Sequence, residues 1–229
     1  MTVIDVISVQ PAMFEGFLTH SIVARAVKKG ICQVNIVDLR DFAHDRRRTV
    51  DDRPYGGGPG MLMTCGPWFE AVESRLALAA EKGRSRVVMT TPAGRRFSQS
   101  VARDLSSAPH IVFMCGHYEG FDARIRTLAT DELSLGDFVM TGGEIAAAAM
   151  VDSIVRLLPG ALGGGVAATS SESFGPDGLL EAPQYTRPSV FRGMSVPEEL
   201  LNGDHRRAEA WRKSASRRIT AAIRPDLSE

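Results

Sequence analysis

Three glycine-bearing stretches set polar side chains beside backbone that a bound molecule can approach. The first is Tyr55-Gly56-Gly57-Gly58-Pro59-Gly60-Met61, preceded by Asp51-Asp52-Arg53-Pro54. The second is Cys115-Gly116-His117-Tyr118-Glu119-Gly120-Phe121-Asp122. The third is Ser134-Leu135-Gly136-Asp137-Phe138-Val139-Met140-Thr141-Gly142-Gly143-Glu144. Without a side chain, glycine lets main-chain N–H and C=O groups touch a ligand. Any one such loop is more often a plain turn. Two at strand ends, each with polar residues beside the glycines, shift the balance toward a binding crevice, because α/β proteins bind ligands beyond the carboxyl ends of their strands.

The common nucleotide signatures are missing. No glycine loop continues as Gly-Lys-Ser/Thr, so there is no P-loop. No G-x-G-x-x-G opens a helix in the first βα unit, so the dinucleotide fingerprint is absent too. Asp177, in Ser173-Phe174-Gly175-Pro176-Asp177-Gly178-Leu179-Leu180-Glu181, precedes a glycine and on composition reads as a turn residue. Its place at the end of a long loop makes a functional role credible, since binding residues concentrate on loops. Arg156 lies among Ile154, Val155, Leu157 and Leu158. Either it snorkels to the surface or it faces a cleft and donates to a substrate oxygen.

The elements that must position these residues alternate strand and helix. Residues 2–9, 33–39, 86–90 and 110–115 read as strands. Residues 14–29, 67–82 and 143–158 read as helices, the last strengthened by its alanine run. The expected fold class is α/β, with a parallel sheet covered on both faces. Residues 160–178, rich in Gly, Ala, Ser and Thr, are too long for an ordinary connection and mark an expected linker. The division is then 1–159, linker 160–178, and a small helical domain 179–229. In that last part, residues 204–220 place Ala208, Trp211, Ala215 and Ile219 on one helix face. Arg206, Arg207, Arg212, Lys213, Arg217 and Arg218 surround it. Such a face is either simply solvated or grips phosphates, which contributes affinity rather than sequence choice.

The whole chain of 229 residues has 27 basic and 27 acidic side chains, so it is not coated in one sign of charge. No signal peptide is expected from Met1-Thr2-Val3-Ile4-Asp5. The longest apolar run, 145–159, is broken by Asp152 and Arg156 and is too short to span a bilayer, so no membrane association is expected. Cys32, Cys65 and Cys115 read as reduced, buried thiols of a cytoplasmic protein. They and the five histidines show no zinc-type pairing.

Taken together, the three glycine stretches, with Asp177-Gly178-Leu179-Leu180 through Tyr185-Thr186-Arg187-Pro188, resemble the bacterial tRNA (guanine-N1)-methyltransferases of the TrmD type. The blocks occur in that family's order and span nearly the whole chain. The resemblance implies a SPOUT-class α/β domain whose C-terminal part is threaded into a trefoil knot. It also implies a homodimer with active sites at the subunit interface. S-adenosylmethionine would sit bent in the knot, held mainly by backbone groups. Carried over by position, its loops are Thr90-Thr91-Pro92, Gly116 with Tyr118 and Glu119, and Leu135, Gly136, Asp137, Phe138, Val139 and Met140 with Gly142 and Gly143. The implied substrate is tRNA with guanosine at nucleotide 37, 3′ of the anticodon, when another guanosine precedes it. Magnesium dependence is also implied, with Glu119 the nearest carboxylate.

Guanine N1 is a poor nucleophile until it loses its proton, and a carboxylate in hydrogen-bond reach can take it. Asp177 matches the family's base. Charge then spreads onto O6, where a fixed guanidinium would stabilise it; Arg156 matches that residue. The linker is expected to order only when tRNA docks, bringing Asp177 into place. This chain departs from the family at Ala146, where proline is expected, and at Phe138, where tyrosine is frequent. A related enzyme acting on ribosomal RNA or a ribose hydroxyl, and a non-catalytic RNA-binding protein, are the competing readings.

Overall fold

The computed structural model describes residues 1–79, 83–163 and 172–227. The part of the expected 67–82 helix at 80–82, and residues 164–171 of the expected linker, lie outside the described residues. The chain divides into two units, residues 1–163 and 164–229.

The first unit is built on β1 (Thr2–Ser8), β2 (Cys32–Asp38), β3 (Asp51–Asp52), β4 (Leu62–Met63), β5 (Ser85–Arg96), β6 (His110–Cys115) and β7 (Asp131–Ser134). Five of these form one sheet in the order β2-β1-β6-β5-β7, and every pairing in it is parallel. β3 and β4 form a small antiparallel pair. Period-2 alternation sends Ile111, Phe113 and Cys115 of β6 to one face and Val112 and Met114 to the other. On the first face they join Ala147, Met150, Val151 and Ile154 of a helix at Glu144–Val155. On the second they meet Trp68, Ala71 and Val72 of a helix at Cys65–Ala77. Both faces are therefore covered, which is why β6 is buried throughout and apolar from Ile111 to Cys115.

In chain order the helices are α1 (Glu15–Thr19), α2 (Ser21–Lys28), α3 (Cys65–Ala77), α4 (Gln99–Ser106), α5 (Glu144–Val155) and α6 (His205–Ile223). The single helix expected over 14–29 is broken. His20 is extended and Ser21 has φ +72°, so the chain turns between α1 and α2. Cys32 and Cys115 are buried, but Cys65 is only half-buried at the start of α3. Burial pushes the Cys115 thiol well up from its usual range, with the Glu144 carboxylate adding to it.

Within the second unit, the helical reading of everything after Leu179 is corrected. Before α6 the described residues hold only a 3-10 turn at Glu198–Leu200 and an antiparallel hairpin of β8 (Val190–Phe191) and β9 (Met194–Ser195). Pro183, Pro188 and Pro197 remove backbone donors there, and Gly193 and Gly203 have positive φ. α6 begins where Asp204 caps it, accepting from the N–H groups of Arg206 and Arg207 at 2.9 and 3.2 Å. It buries Ala208, Ala215 and Thr220, and Trp211 meets Tyr185 edge-on at 6.1 Å.

Candidate active site

β6, β5 and β7 are neighbours in the sheet, and their carboxyl ends deliver three loops to one place. β5 supplies the first. Thr90 pairs with Cys115 on one side and Leu133 on the other, and Arg95 pairs with Leu133 again. The register shift pushes residues 91–94 out of the ladder. Gly94 makes this turn feasible, because it lies against the Glu132–Leu133 backbone with no room for a side chain.

The loops are laced together by main-chain bonds. Gly143 N donates to Gly116 O at 2.7 Å, joining the loops after β7 and β6. Thr90 Oγ1 donates to Met114 O at 3.0 Å, and Gly116 N donates to Thr90 Oγ1 at 3.4 Å. A methyl group on Gly143 would overlap Thr90 Oγ1 and come within 2.9 Å of Gly116 N. A methyl group on Gly142 would overlap the Glu144 carboxylate. Glycine is required at 143 for clearance from the Gly116 backbone, while at 142 a side chain would have to displace Glu144 and His117.

Between the loops lies a cleft of about 190 Å³. Thr90, Thr91 and Pro92 line it from β5, and Gly116, Tyr118 and Glu119 from the loop after β6. The loop after β7 contributes Leu135, Gly136, Phe138, Val139 and Met140, with Gly142 and Gly143. Asp137, also expected there, is not in the lining. Its exposed carboxylate turns outward to pair with Arg96. Sequence reasoning passed over His117, Leu133, Ser134, Thr141 and Ala146, which also line the cleft. His117, Ser134 and Thr141 lie inside the glycine stretches but match none of the family's cofactor positions. Ala146 stood out only by the absence of proline, and Leu133 gave no signal.

The first glycine stretch reaches the site indirectly. Glu119 N donates to Met61 O at 3.0 Å, and Met63 N donates to Gly120 O at 2.9 Å. The Glu119 side chain lies where a side chain on Gly60 would have to go. Behind the cleft, Glu144 is buried at the start of α5 and accepts from Ser8 Oγ at 2.7 Å. Its other oxygen lies 3.7 Å from His117 Nδ1, which makes no hydrogen bond among the described residues.

Arg156 follows the last residue of α5, at the end opposite the cleft. Ten residues separate it from Ala146 in the cleft wall, about 15 Å along the axis at 1.5 Å per residue. Asp177 belongs to the second unit and is exposed. Together with Arg212, Lys213 and Arg217 it lines a groove of about 610 Å³ in that unit. Among the described residues, no three His, Cys, Asp or Glu side chains converge as a metal site. No described helix is long and apolar enough to cross a membrane.

A parallel sheet with a glycine-lined cleft beyond adjacent strand ends defines a ligand-binding α/β domain. Comparison of the whole chain makes this specific. Residues 2–229 match the family model described as tRNA (Guanine-1)-methyltransferase TrmD, and the chain belongs to that family. A tRNA (guanine-N(1)-)-methyltransferase of Lacticaseibacillus paracasei is 50% identical over 224 residues, 98% of this chain and 86% of that protein. Proteins of the same name from Geobacter sulfurreducens and Geobacillus kaustophilus are each 48% identical, over 97% and 98% of this chain and 89% and 90% of theirs.

Proposed function

We propose that this chain transfers a methyl group from S-adenosylmethionine to N1 of the guanosine at tRNA nucleotide 37. The convergence of three glycine-bearing strand-end loops on one cleft is the observation that carries this reading. The cleft suits the donor. Leu135, Val139 and Met140 offer apolar surface for an adenine, and the backbone of the glycine-bearing loops offers hydrogen-bonding groups for a ribose and an amino acid tail. Bound there, S-adenosylmethionine supplies an electrophilic methyl on a sulfonium.

The protein's own work is on the guanine. Asp177 accepts the N1 proton, which turns that nitrogen into a nucleophile. Arg156 donates to O6, where negative charge accumulates as the proton leaves. The placement of Arg156 supports a homodimer in the SPOUT manner. At about 15 Å from its own cleft wall, it serves a cleft most directly when that cleft belongs to a second copy. Arg212, Lys213 and Arg217 beside Asp177 offer cations for the flanking phosphates.

The test is transfer from labelled S-adenosylmethionine to tRNA transcripts carrying G or A at nucleotide 37. Wild type should methylate the G transcript alone. Asp177→Ala should lose about 10²–10⁴-fold in rate, the usual range for a general base. Methylation of the A transcript, or an Asp177→Ala protein at full rate, would overturn the assignment.

A further inference from the structure

Asp177 sits in a short loop that closes on itself. Phe174 N donates to Leu179 O at 2.8 Å, Gly178 N donates to Gly175 O at 3.0 Å, and Glu181 N donates to Ser173 Oγ at 2.9 Å. These bonds give the loop a shape. Two contacts with the far end of α6 then give it a position. The Arg224 guanidinium lies over the Phe174 ring at 5.9 Å. The stronger tie is at Leu180, three residues from Asp177. Leu180 N donates to Thr220 Oγ1 at 2.9 Å, and Leu180 O accepts from Ser216 Oγ at 2.6 Å.

Ser216 and Thr220 are one helical turn apart, so both hydroxyls leave the same face of α6. Thr220 is fully buried. Its own proton goes to Ser216 O at 2.8 Å, an intrahelical back-bond that satisfies its donor. The lone pair that receives Leu180 N–H is therefore an additional commitment, made across 40 residues of sequence. An apolar side chain at either position would pack against Leu180 without fixing its register, because burial is non-directional. A hydrogen bond to each of the two backbone groups of one residue fixes both distance and direction.

We infer that Thr220 and Ser216 are positioning residues for the Asp177 carboxylate, holding its loop in register on α6. The inference rests on the reading of Asp177 as the base. It makes the second unit an active part of the catalytic geometry as well as a grip on RNA. A displacement of about 1 Å at a reacting group can cost on the order of 100-fold in rate, so a pin three residues away has catalytic leverage without touching substrate.

The experiment compares Thr220→Val, Thr220→Ser, Ser216→Ala and Asp177→Ala in the full-length protein. Single-turnover methyl transfer is measured at saturating tRNA and S-adenosylmethionine, with tRNA affinity measured separately by filter binding. Thr220→Val should slow transfer about 30-fold while changing tRNA affinity by less than about 3-fold, and Thr220→Ser should restore the rate to within about 3-fold of wild type. A wild-type rate in Thr220→Val overturns the inference. So does a loss of rate matched by an equal loss of affinity, which marks general loosening of the unit. Should Thr220→Val fail to melt cooperatively, Ser216→Ala decides. A rate lowered about 5-fold at unchanged affinity supports the pin, and a wild-type rate removes it. Inactive Asp177→Ala beside fully active Thr220→Val discards the positioning role alone. Fully active Asp177→Ala discards the base assignment and the positioning role with it.

Discussion

The amino half of the five-stranded sheet and its carboxyl ends both enclose polar groups, and they complete them in opposite ways. Around Asp5 the chain supplies the partners itself. The carboxylate receives His110 Nε2 at 2.9 Å, Asn35 Nδ2 at 2.7 Å and Arg75 Nε at 3.0 Å. The other ring nitrogen of His110 meets Ser85 Oγ at 2.9 Å. Asp131 is enclosed likewise by Arg86, Arg95 and Thr130. At the carboxyl ends glycines stand in place of side chains, and the backbone lines an open cleft. One Ser–His–Asp arrangement is thus saturated and structural, while loops of modest chemistry form the candidate site. Residue type does not mark a site as well as unspent hydrogen-bonding capacity does.

The comparison predicts a separation of effects, largest at Asp5. Asp5→Ala leaves His110, Asn35 and Arg75 without their shared acceptor, and removing one member of a buried charged cluster costs about 3–5 kcal/mol. Denaturant unfolding should show that loss, while the folded fraction binds S-adenosylmethionine normally. A loss below about 1 kcal/mol would mean that the amino half is no more a keystone than an ordinary surface pair.

Gly143→Ala should do the reverse. Forcing a methyl between Thr90 and Gly116 carries about 1–3 kcal/mol of overpacking, which falls on the cleft. Calorimetry should find binding of S-adenosylmethionine weakened by roughly 10–100-fold, with a smaller drop in stability than Asp5→Ala gives. Unchanged affinity would separate this cleft from the donor site.

Acid should act on the amino half next. Burial alone would raise the Asp5 and Asp131 carboxyls. Hydrogen bonds from His110, Asn35 and Arg75 to the first, and from Arg86, Thr130 and Arg95 to the second, outweigh it and hold both below the ordinary value. Their contribution is complete above the unfolded pKa of about 4 and is lost as pH falls through the lower folded values. Melting temperature should therefore decline below about pH 4, less steeply in Asp131→Asn. A flat profile there would contradict the assignment.

The smallest effect sharpens the contrast between two uses of glycine. A methyl on Gly178 would meet no atom within 4 Å, but its φ is +70°. Gly178→Ala should cost about 1 kcal/mol of left-handed strain, seen as a small drop in melting temperature. Gly143 is needed for room, and Gly178 for its backbone angle.

Legibility in the sequence followed the same division. β6 announced itself because both sheet faces are covered, so six consecutive residues are buried between a turn and Gly116. β7 did not, because Asp131-Glu132-Leu133-Ser134 looks like a surface loop until Arg86 and Arg95 arrive from β5 to neutralise it. α4 is eight residues long, with Val101, Ala102 and Leu105 its only buried positions, too few for the period to emerge. In the cleft the glycines were readable. Leu133 was not, since it belongs to the strand that had been missed. Asp137 came with its loop neighbours as what the resemblance implies, and its exposed carboxylate pairs with Arg96. Of the linker expected to order when tRNA docks, residues 164–171 lie outside the described residues, and only its end can be compared. Residues 173–181 carry their own hydrogen bonds, and Leu180 is already seated on α6.

The hydrogen bond from Ser8 to Glu144 joins residues 136 positions apart. At synthesis rates of about 5–20 residues per second, Ser8 waits roughly 7–27 s for its partner to be made. β1 can pair with β2 after some thirty residues, but its other edge stays open until β6 emerges. For that interval the nascent protein is a half-built sheet with an unpaired strand, exposed to chaperones and to misassociation. The cleft, which needs Gly142 and Gly143, is among the last parts of the first unit to exist. A chain cut short before β7 would therefore carry four of the five sheet strands and lack the loop, Leu135 to Gly143, that walls one side of the cleft.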